Sequence, residues 1–477
     1  MKFAPRPWQV PMLAHVFQRP RCALWAGMGL GKTPVVLAYL DALSVIDGRP
    51  ALVVGPLRVA RGVWAAEAAK WDHLAGIRVV PIIGSAKERS ALVRKEGQIY
   101  TTNYENLPWL VEYWGDAWPY ATVILDESDY VKGLRASYHT GKKADGTAGK
   151  VTLRTAGTAR AAALATVAHT RIKRIVELTG TPSPNGLTDL WGQPWFLDQG
   201  ARLGRSFTAF SARWFRAGRS GYGLEPTPGA ADEIHSRIAD ICMTVDVADW
   251  VDLAKPLINN VYVDLPPTAM ALYKAMEREM FIAISDRHAE AANAAGRTSK
   301  CLQIANGSVY LTDGEDGREW REIHAEKIQA LASIVHETGG VPLMVCYEFR
   351  SDLARLLAAF PSGRALVCQQ DEDDFRSGLI PLLFLHPKSG GHGIDGFQAP
   401  CNNIVFFGHN WSLGQYLQVI ERIGPTRQMQ AGLRRAVTVH HIIARGTVDE
   451  LVMERRESKR ATQDILLDAC KRMRGEG

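Results

Sequence analysis

Cysteine is scarce and scattered in this chain. Its 477 residues include seven cysteines, Cys22, Cys242, Cys301, Cys346, Cys368, Cys401 and Cys470, and no two lie within four residues of each other. That spacing excludes a Cys-x-x-Cys zinc half-site. An odd, dispersed set predicts reduced core thiols and a cytoplasmic protein. His440 and His441 are adjacent, which is poor spacing for one metal on one face, so no structural zinc is expected. Long apolar runs are also missing: nothing approaches the ~18 residues of a membrane-spanning helix. The opening Met1–Val10 has no apolar core of the kind a signal peptide needs.

Charge of one sign is in short supply as well. Fifty-six Lys and Arg against fifty Asp and Glu give a net charge of +6, which permits a nucleic-acid partner without demanding one. The distribution says more than the sum. Between Lys132 and Arg174 there are ten basic residues and one acid, Asp145. This is either a solvated loop or a stretch that touches phosphate. With 46% hydrophobic and 22% charged residues the composition is that of a folded protein, and the length suggests two to four domains.

Two regions alternate short β-rich apolar runs with helical patterns, which predicts an α/β fold with two doubly wound parallel-sheet lobes. The first covers 1–200, with strands expected at Cys22–Trp25, Ala51–Val54, Ile99–Thr102, Thr122–Leu125 and Val176–Thr179. The second covers 326–477, with strands at Leu343–Tyr347, Leu382–Leu385, Asn403–Phe407 and Val437–Ile443, and a closing helix after Thr447. Parallel strands buried on both faces read as continuous apolar runs, as these do. The stretch 201–325 reads as a helical insertion between the lobes, and Thr140–Gly157 as a mobile basic loop.

After the first strand comes Ala26-Gly-Met-Gly-Leu-Gly-Lys-Thr33. A phosphate-cradling loop needs glycines so that backbone N–H groups can turn inward, a lysine for the β/γ charge, and a hydroxyl for magnesium at a helix start. Gly29, Gly31, Lys32 and Thr33 supply these parts, although Ala26 stands where the strict pattern has glycine. Pro34 lies in the first helical turn, where its missing N–H costs little. The strand Val123-Ile-Leu then delivers Asp126 and Glu127. The first acid suits magnesium and the second suits the general base for an attacking water.

With these motifs the chain resembles the Swi/Snf-type branch of superfamily-two helicases, ATP-driven translocases on duplex DNA. Leu52–Val59 with Trp64, Glu67, Lys70 and Trp71 looks like motif Ia, and Thr101–Glu105 like the next DNA-facing motif. Leu178–Asn185 followed by Asp189-Leu-Trp191 is similar to motif III. Ser389–Asp395 looks like motif V, with Asp395 where asparagine is more usual, and Gln418–Arg422 like the run into motif VI. The compact length and the Arg422-Ile-Gly-Pro-Thr-Arg427 variant look most like small bacteriophage and prophage members.

The resemblance implies two RecA-like lobes and ATP with magnesium as cofactors. It implies nucleotide contacts from Gln9, from Gly27, Met28, Gly29, Leu30, Gly31, Lys32 and Thr33, and from Asp395. Thr33 and Asp126 would hold the metal, and Lys32, Asp126, Glu127, Arg422 and Arg427 would be catalytic, one of the two arginines acting as the cation from the second lobe. Pro56, Leu57, Arg58, Thr102 and Ser389 fall where the family meets the DNA backbone, and the basic segment adds Lys142, Lys143 and Lys150. Arg422 holds the first arginine position of motif VI, while Pro425 occupies the second and Arg427 comes two residues later. Pro425 is expected to end the preceding helix and to leave Arg427 on a loop. Three functions remain open from sequence: a duplex translocase, a strand-separating or annealing helicase of phage replication or recombination, and a DNA-binding recruitment factor on an ATPase scaffold. Double-stranded DNA is the expected partner, with phage or host replication or recombination proteins beside it.

Overall fold

The computed structural model describes residues 1–27, 29–142, 148–217, 224–246, 249–251, 253–285, 291–311, 319–390, 395–433 and 435–472. In chain order the strands of the first half are β1 (Arg21–Ala26), β2 (Ala51–Gly55), β3 (Val79–Pro81), β4 (Ile99–Asn103), β5 (Thr122–Asp126), β6 (Leu134–Lys142), β7 (Ala148–Gly157), β8 (Arg174–Thr179), β9 (Phe215–Ala217), β10 (Leu224–Pro226) and β11 (Cys242–Val245). The second half adds β12 (Leu257–Val263), β13 (Ser308–Tyr310), β14 (Trp320–Glu322), β15 (Leu343–Cys346), β16 (Gly363–Ala365), β17 (Leu382–Leu385), β18 (Asn403–Phe406) and β19 (Thr438–Ala444).

Seven strands pair in the order β11-β1-β8-β5-β2-β4-β3 and six in the order β12-β19-β18-β15-β17-β16. Every pairing within these two sheets is parallel. Parallel neighbours require crossovers, and the crossover helices cover the sheet faces. β1, β2, β5 and β8 are accordingly buried almost end to end. One face of the first sheet packs Ala23, Trp25, Leu52, Val54, Val123 and Leu125 against the following helices, with Trp195 and Phe196 among the largest side chains there. The second sheet carries a core on each face, one around Met344 and Ile404, the other around Val345 and Val405.

All nine expected strands form, each within two residues of the expected ends. The division at 200 and 325 does not describe the contacts. The chain separates into Met1–Asp252 with Lys459–Gly477, and Leu253–Ser458. β11 joins the edge of the first sheet beside β1, and β12 joins the second beside β19, so the expected insertion is shared between the two units. Helices Pro267–Ser285 and Ala291–Asn306 supply the helical character expected of it.

The expected basic loop is also different. β6 and β7 form an antiparallel two-stranded ribbon, from Leu134 opposite Gly157 to Lys142 opposite Ala148. Alternation decides this: Leu134 and Ala136 point into the first core, Tyr138 and Leu153 pack against it, and Arg135 and Ser137 face out. No described helix is long and apolar enough to cross a membrane.

Candidate nucleotide site and nucleic-acid interface

β1 runs straight into the glycine loop, and helix Lys32–Ile46 leaves it. Gly29 and Gly31 both sit at φ +77°, in the left-handed region where a side chain is costly. At Gly31 space forbids one as well, since a Cβ would lie 2.2 Å from Gln9 Nε2. That amide braces the loop: Gln9 Nε2 donates to the carbonyls of Leu30 (3.3 Å) and Gly31 (3.2 Å), and Trp8 Nε1 donates to Leu30 (3.1 Å). Lys32 Nζ folds back over the loop, donating to the carbonyls of Ala26 (2.6 Å) and Gly27 (3.1 Å). Thr33 is half-buried on the first helical turn. Met28 lies outside the described residues.

Asp126 ends β5, with β8 between it and β1. Trp64 Nε1 donates to Asp126 Oδ2 at 3.0 Å and fixes the carboxylate's orientation. Burial and the charge of Glu127 push the Asp126 carboxyl up to about 6, against the pull of the Lys32 ammonium. Lys32 and Asp126 are thus brought into electrostatic reach at the C-terminal ends of one sheet. Glu127 is 9% exposed and adopts φ +59°, a left-handed backbone that costs a non-glycine residue about 1–3 kcal/mol. The Tyr104 hydroxyl, donating to the carbonyls of Asp126 (3.0 Å) and Glu127 (3.2 Å), holds that conformation.

Sequence reasoning overlooked the support behind the acids. Ser128 Oγ donates to Gln193 Oε1 at 2.8 Å, and Gln193 Nε2 donates to the Pro182 carbonyl at 2.7 Å, tying the acid turn to the loop after β8. Lys132 Nζ lies 3.6 Å from both Asp129 and Asp189, bridging the same two loops. Burial, then the Glu127 charge, raises the Asp129 carboxyl to about 7. The run Asp126-Glu-Ser-Asp129 displays a third acid, but its ion pair depends on loops some sixty residues apart meeting (129 to 189). Only packing reveals that.

The expected nucleic-acid residues divide. Leu57 is 46% exposed and Arg58 half-buried at the helical turn after β2, so both are accessible. Pro56 is buried. Thr102 is a correction: it is fully buried in β4, and its hydroxyl donates to the Ile82 carbonyl at 2.9 Å, leaving nothing to offer a DNA backbone. Ser389 lies in the short helix Pro387–Gly390. Lys142 and Lys150 sit at the outer end of the ribbon by register. The side chains of Lys142, Lys150 and Ser389, and all of Lys143, lie outside the described set.

Motif VI brings a second correction. Pro425 does follow the end of helix Leu413–Ile420, but it also opens a new one, Pro425–Gln430, at the position where its missing N–H is harmless. Arg427 therefore sits on a helix, ion-paired to Asp395. Arg422 is 7% exposed, on the turn between the two helices.

Two doubly wound sheets, the first carrying a phosphate loop opposite an Asp-Glu pair, define a P-loop nucleotide-binding protein of the helicase-like kind. The SNF2-related domain profile matches residues 12–306, and the chain belongs to that family. It is 49% identical to the putative protein p41 of Acyrthosiphon pisum secondary endosymbiont phage 1, over 98% of this chain and 99% of that one. It is 22% identical to the putative ATP-dependent helicase/translocase YwqA of Bacillus subtilis, over 93% of this chain and 46% of that one. A solved structure of the Sulfolobus solfataricus SWI2/SNF2 ATPase core in complex with dsDNA is similar at 20% identity and a TM-score of 0.43, covering 98% of this chain and 94% of that one.

Proposed function

We propose that this chain is a DNA-dependent ATPase that couples ATP hydrolysis to movement along double-stranded DNA. The observation that carries the reading is the convergence of Lys32 with Asp126 and Glu127 at one end of the first sheet. A scaffold that only bound DNA would need neither the acids nor a backbone held at φ +59° to present one of them. Family membership and the name of the Bacillus subtilis relative support the DNA-translocating half of the reading. The phage-encoded relative supports a phage setting, in the cytoplasm of a prokaryotic or infected cell, where phage or host replication or recombination proteins would be the partners.

The residues present fit ATP and magnesium. Gly29 and Gly31, both left-handed, give the loop the backbone conformation in which N–H groups turn inward on phosphates, and the acid-rich turn carries excess negative charge that a divalent cation relieves. Thr33 and Asp126 are the hard oxygen donors that would hold the ion, which supplies positive charge to the phosphates when bound. Lys32 pairs with the β/γ-phosphate oxygens. Glu127 accepts the proton of the attacking water, and Tyr104 keeps its backbone from relaxing.

The test compares ATP hydrolysis with no nucleic acid, duplex DNA, single-stranded DNA and RNA, in the native protein and in Glu127→Gln. Duplex DNA is expected to stimulate most. Glu127→Gln is expected to bind ATP normally while turnover falls about 10²–10⁴-fold, the range for loss of a general base. Equal turnover in all four conditions would overturn the reading.

A further inference from the structure

The β6–β7 ribbon has no role in the nucleotide site. Its root is held by Leu134 and Ala136 in the first core and by half-buried Tyr138 and Leu153, with the Arg135 guanidinium 3.8 Å over the Phe207 ring. Beyond the Tyr138–Leu153 pair burial ends: His139, Thr140 and Thr152 are exposed. The ladder nevertheless continues to Lys142 opposite Ala148, with a register shift between Thr140 and Lys142. An isolated two-stranded ribbon is marginal by itself. One that projects from a packed root therefore calls for a partner.

We propose that this ribbon is a major-groove guide, which seats the projecting strands in the groove of duplex DNA and grips it without separating the strands. The proposal rests on duplex DNA as the track. Dimensions support it. Four residues beyond Tyr138 project about 14 Å at ~3.4 Å per residue, and the two strands lie ~4.8 Å apart. The major groove is roughly 12 Å wide and 8.5 Å deep and admits a two-stranded β-ribbon. Charge supports it too: from 134 to 157 the sequence holds Arg135, Lys142, Lys143, Lys150 and Arg154 against one acid, Asp145. Exposed Arg154, Ser137 and Thr152 place a guanidinium and hydroxyls on the outward face, all of which suit phosphates and base edges. A strand-separating wedge needs a bulky apolar side chain to unstack a base step. The sequence 143–149, Lys-Ala-Asp-Gly-Thr-Ala-Gly, has none.

The test replaces His139–Thr152 with Asn-Gly, a two-residue turn that joins the Tyr138–Leu153 pair and keeps the root. Duplex binding is read by fluorescence anisotropy across a salt series, on plain duplex, duplex with bulky cytosine C5 groups filling the major groove, and duplex carrying a minor-groove diamidine. The native protein is expected to lose at least tenfold in affinity on the C5-modified duplex and to stay within twofold with the diamidine. The shortened protein should bind plain duplex more weakly, ignore the C5 groups, and show a salt slope smaller by up to about 2.7, ~0.9 for each of the three lysines removed. Its thermal melt should match that of the native protein, since the root that packs on the first core is kept. Native binding indifferent to C5 bulk would overturn the guide. So would native strand displacement on a forked duplex that the shortening abolishes. Because these readouts are binding and strand displacement, failure of DNA to stimulate hydrolysis would count against the ATPase reading and leave the ribbon result standing on its own.

Discussion

Glu177 sits fully buried in β8, opposite Ala23 of β1 and Leu125 of β5, and neither carboxyl oxygen meets a donor among the described residues. Burial, assisted by the Asp198 charge, raises its carboxyl well above the usual range. The unfolded chain ionises near 4.3. A folded-state value above the unfolded one makes the group's contribution to stability complete below the unfolded pKa, and that contribution is lost as pH rises toward the folded value. Glu177→Gln removes this pH-dependent cost while keeping the shape. It is expected to raise Tm little at pH 5 and increasingly toward pH 8, the gain growing by up to about 1.4 kcal/mol per pH unit. Thermal melts of both proteins across that range check it, and a gain independent of pH would mean that Glu177 is ionised in the fold. Thr102 belongs to the same scale. Its identity suggested a hydroxyl for DNA, whereas its place in β4, between β2 and the edge strand β3, turned that hydroxyl to the Ile82 carbonyl.

Among elements, the two short helices of motif VI separate the arginines. Arg422 lies on the turn after Leu413–Ile420, and Arg427 on Pro425–Gln430 in an ion pair with Asp395. If the family role carries over, Arg422→Ala should lower DNA-stimulated hydrolysis by about 10³-fold or more, the span for an arginine that stabilises the transferring phosphoryl group. ATP affinity should change little. Arg427→Ala frees Asp395 from its ion-pair partner, an arginine that is itself mostly buried while the carboxylate is 63% exposed, and should cost about tenfold in rate, ~1.4 kcal/mol. Single-turnover hydrolysis beside nucleotide titration separates the two, and near-normal turnover in Arg422→Ala would remove it from the phosphoryl step. Pro425 also marks a limit of local rules: the residue that stops one helix is equally suited to the first position of the next. The ribbon is a second case. Its alternation from Leu134 to Tyr138 is visible in the sequence, but glycine and lysine around it read equally as a loop until β7 is found opposite.

At the scale of the whole molecule each unit has its own sheet and core, and the second depends on buried charge. Lys327 and Asp449 are fully enclosed, 2.6 Å apart, joining helix Glu326–Glu337 to helix Val448–Arg472. Lys327 Nζ also donates to Asn306 Oδ1 at 2.8 Å, and Asn306 Nδ2 to Asp352 Oδ2 at 2.9 Å. Removing one partner strands the other charge, at a cost of about 3–5 kcal/mol. Lys327→Ala should therefore lower the calorimetric transition that includes the second sheet. Binding of a fluorescent ATP analogue should persist, because the phosphate loop belongs to the other unit. Loss of nucleotide binding together with the transition would indicate that the units do not fold separately.

The sequence by itself determined nine strands of the two parallel sheets, the phosphate loop and the acid pair. Continuous apolar runs and glycine-lysine spacing are local properties of the backbone, and a parallel sheet buried on both faces leaves few other ways to satisfy them. Tertiary structure alone decided which strands sit at the edges, that β11 closes the first sheet after a long excursion, that Lys132 spans Asp129 and Asp189, and that Thr102 faces inward. Those outcomes depend on pairings between distant residues and on what burial does to a hydroxyl or a charge. Neither is encoded in the spacing of neighbours along the chain.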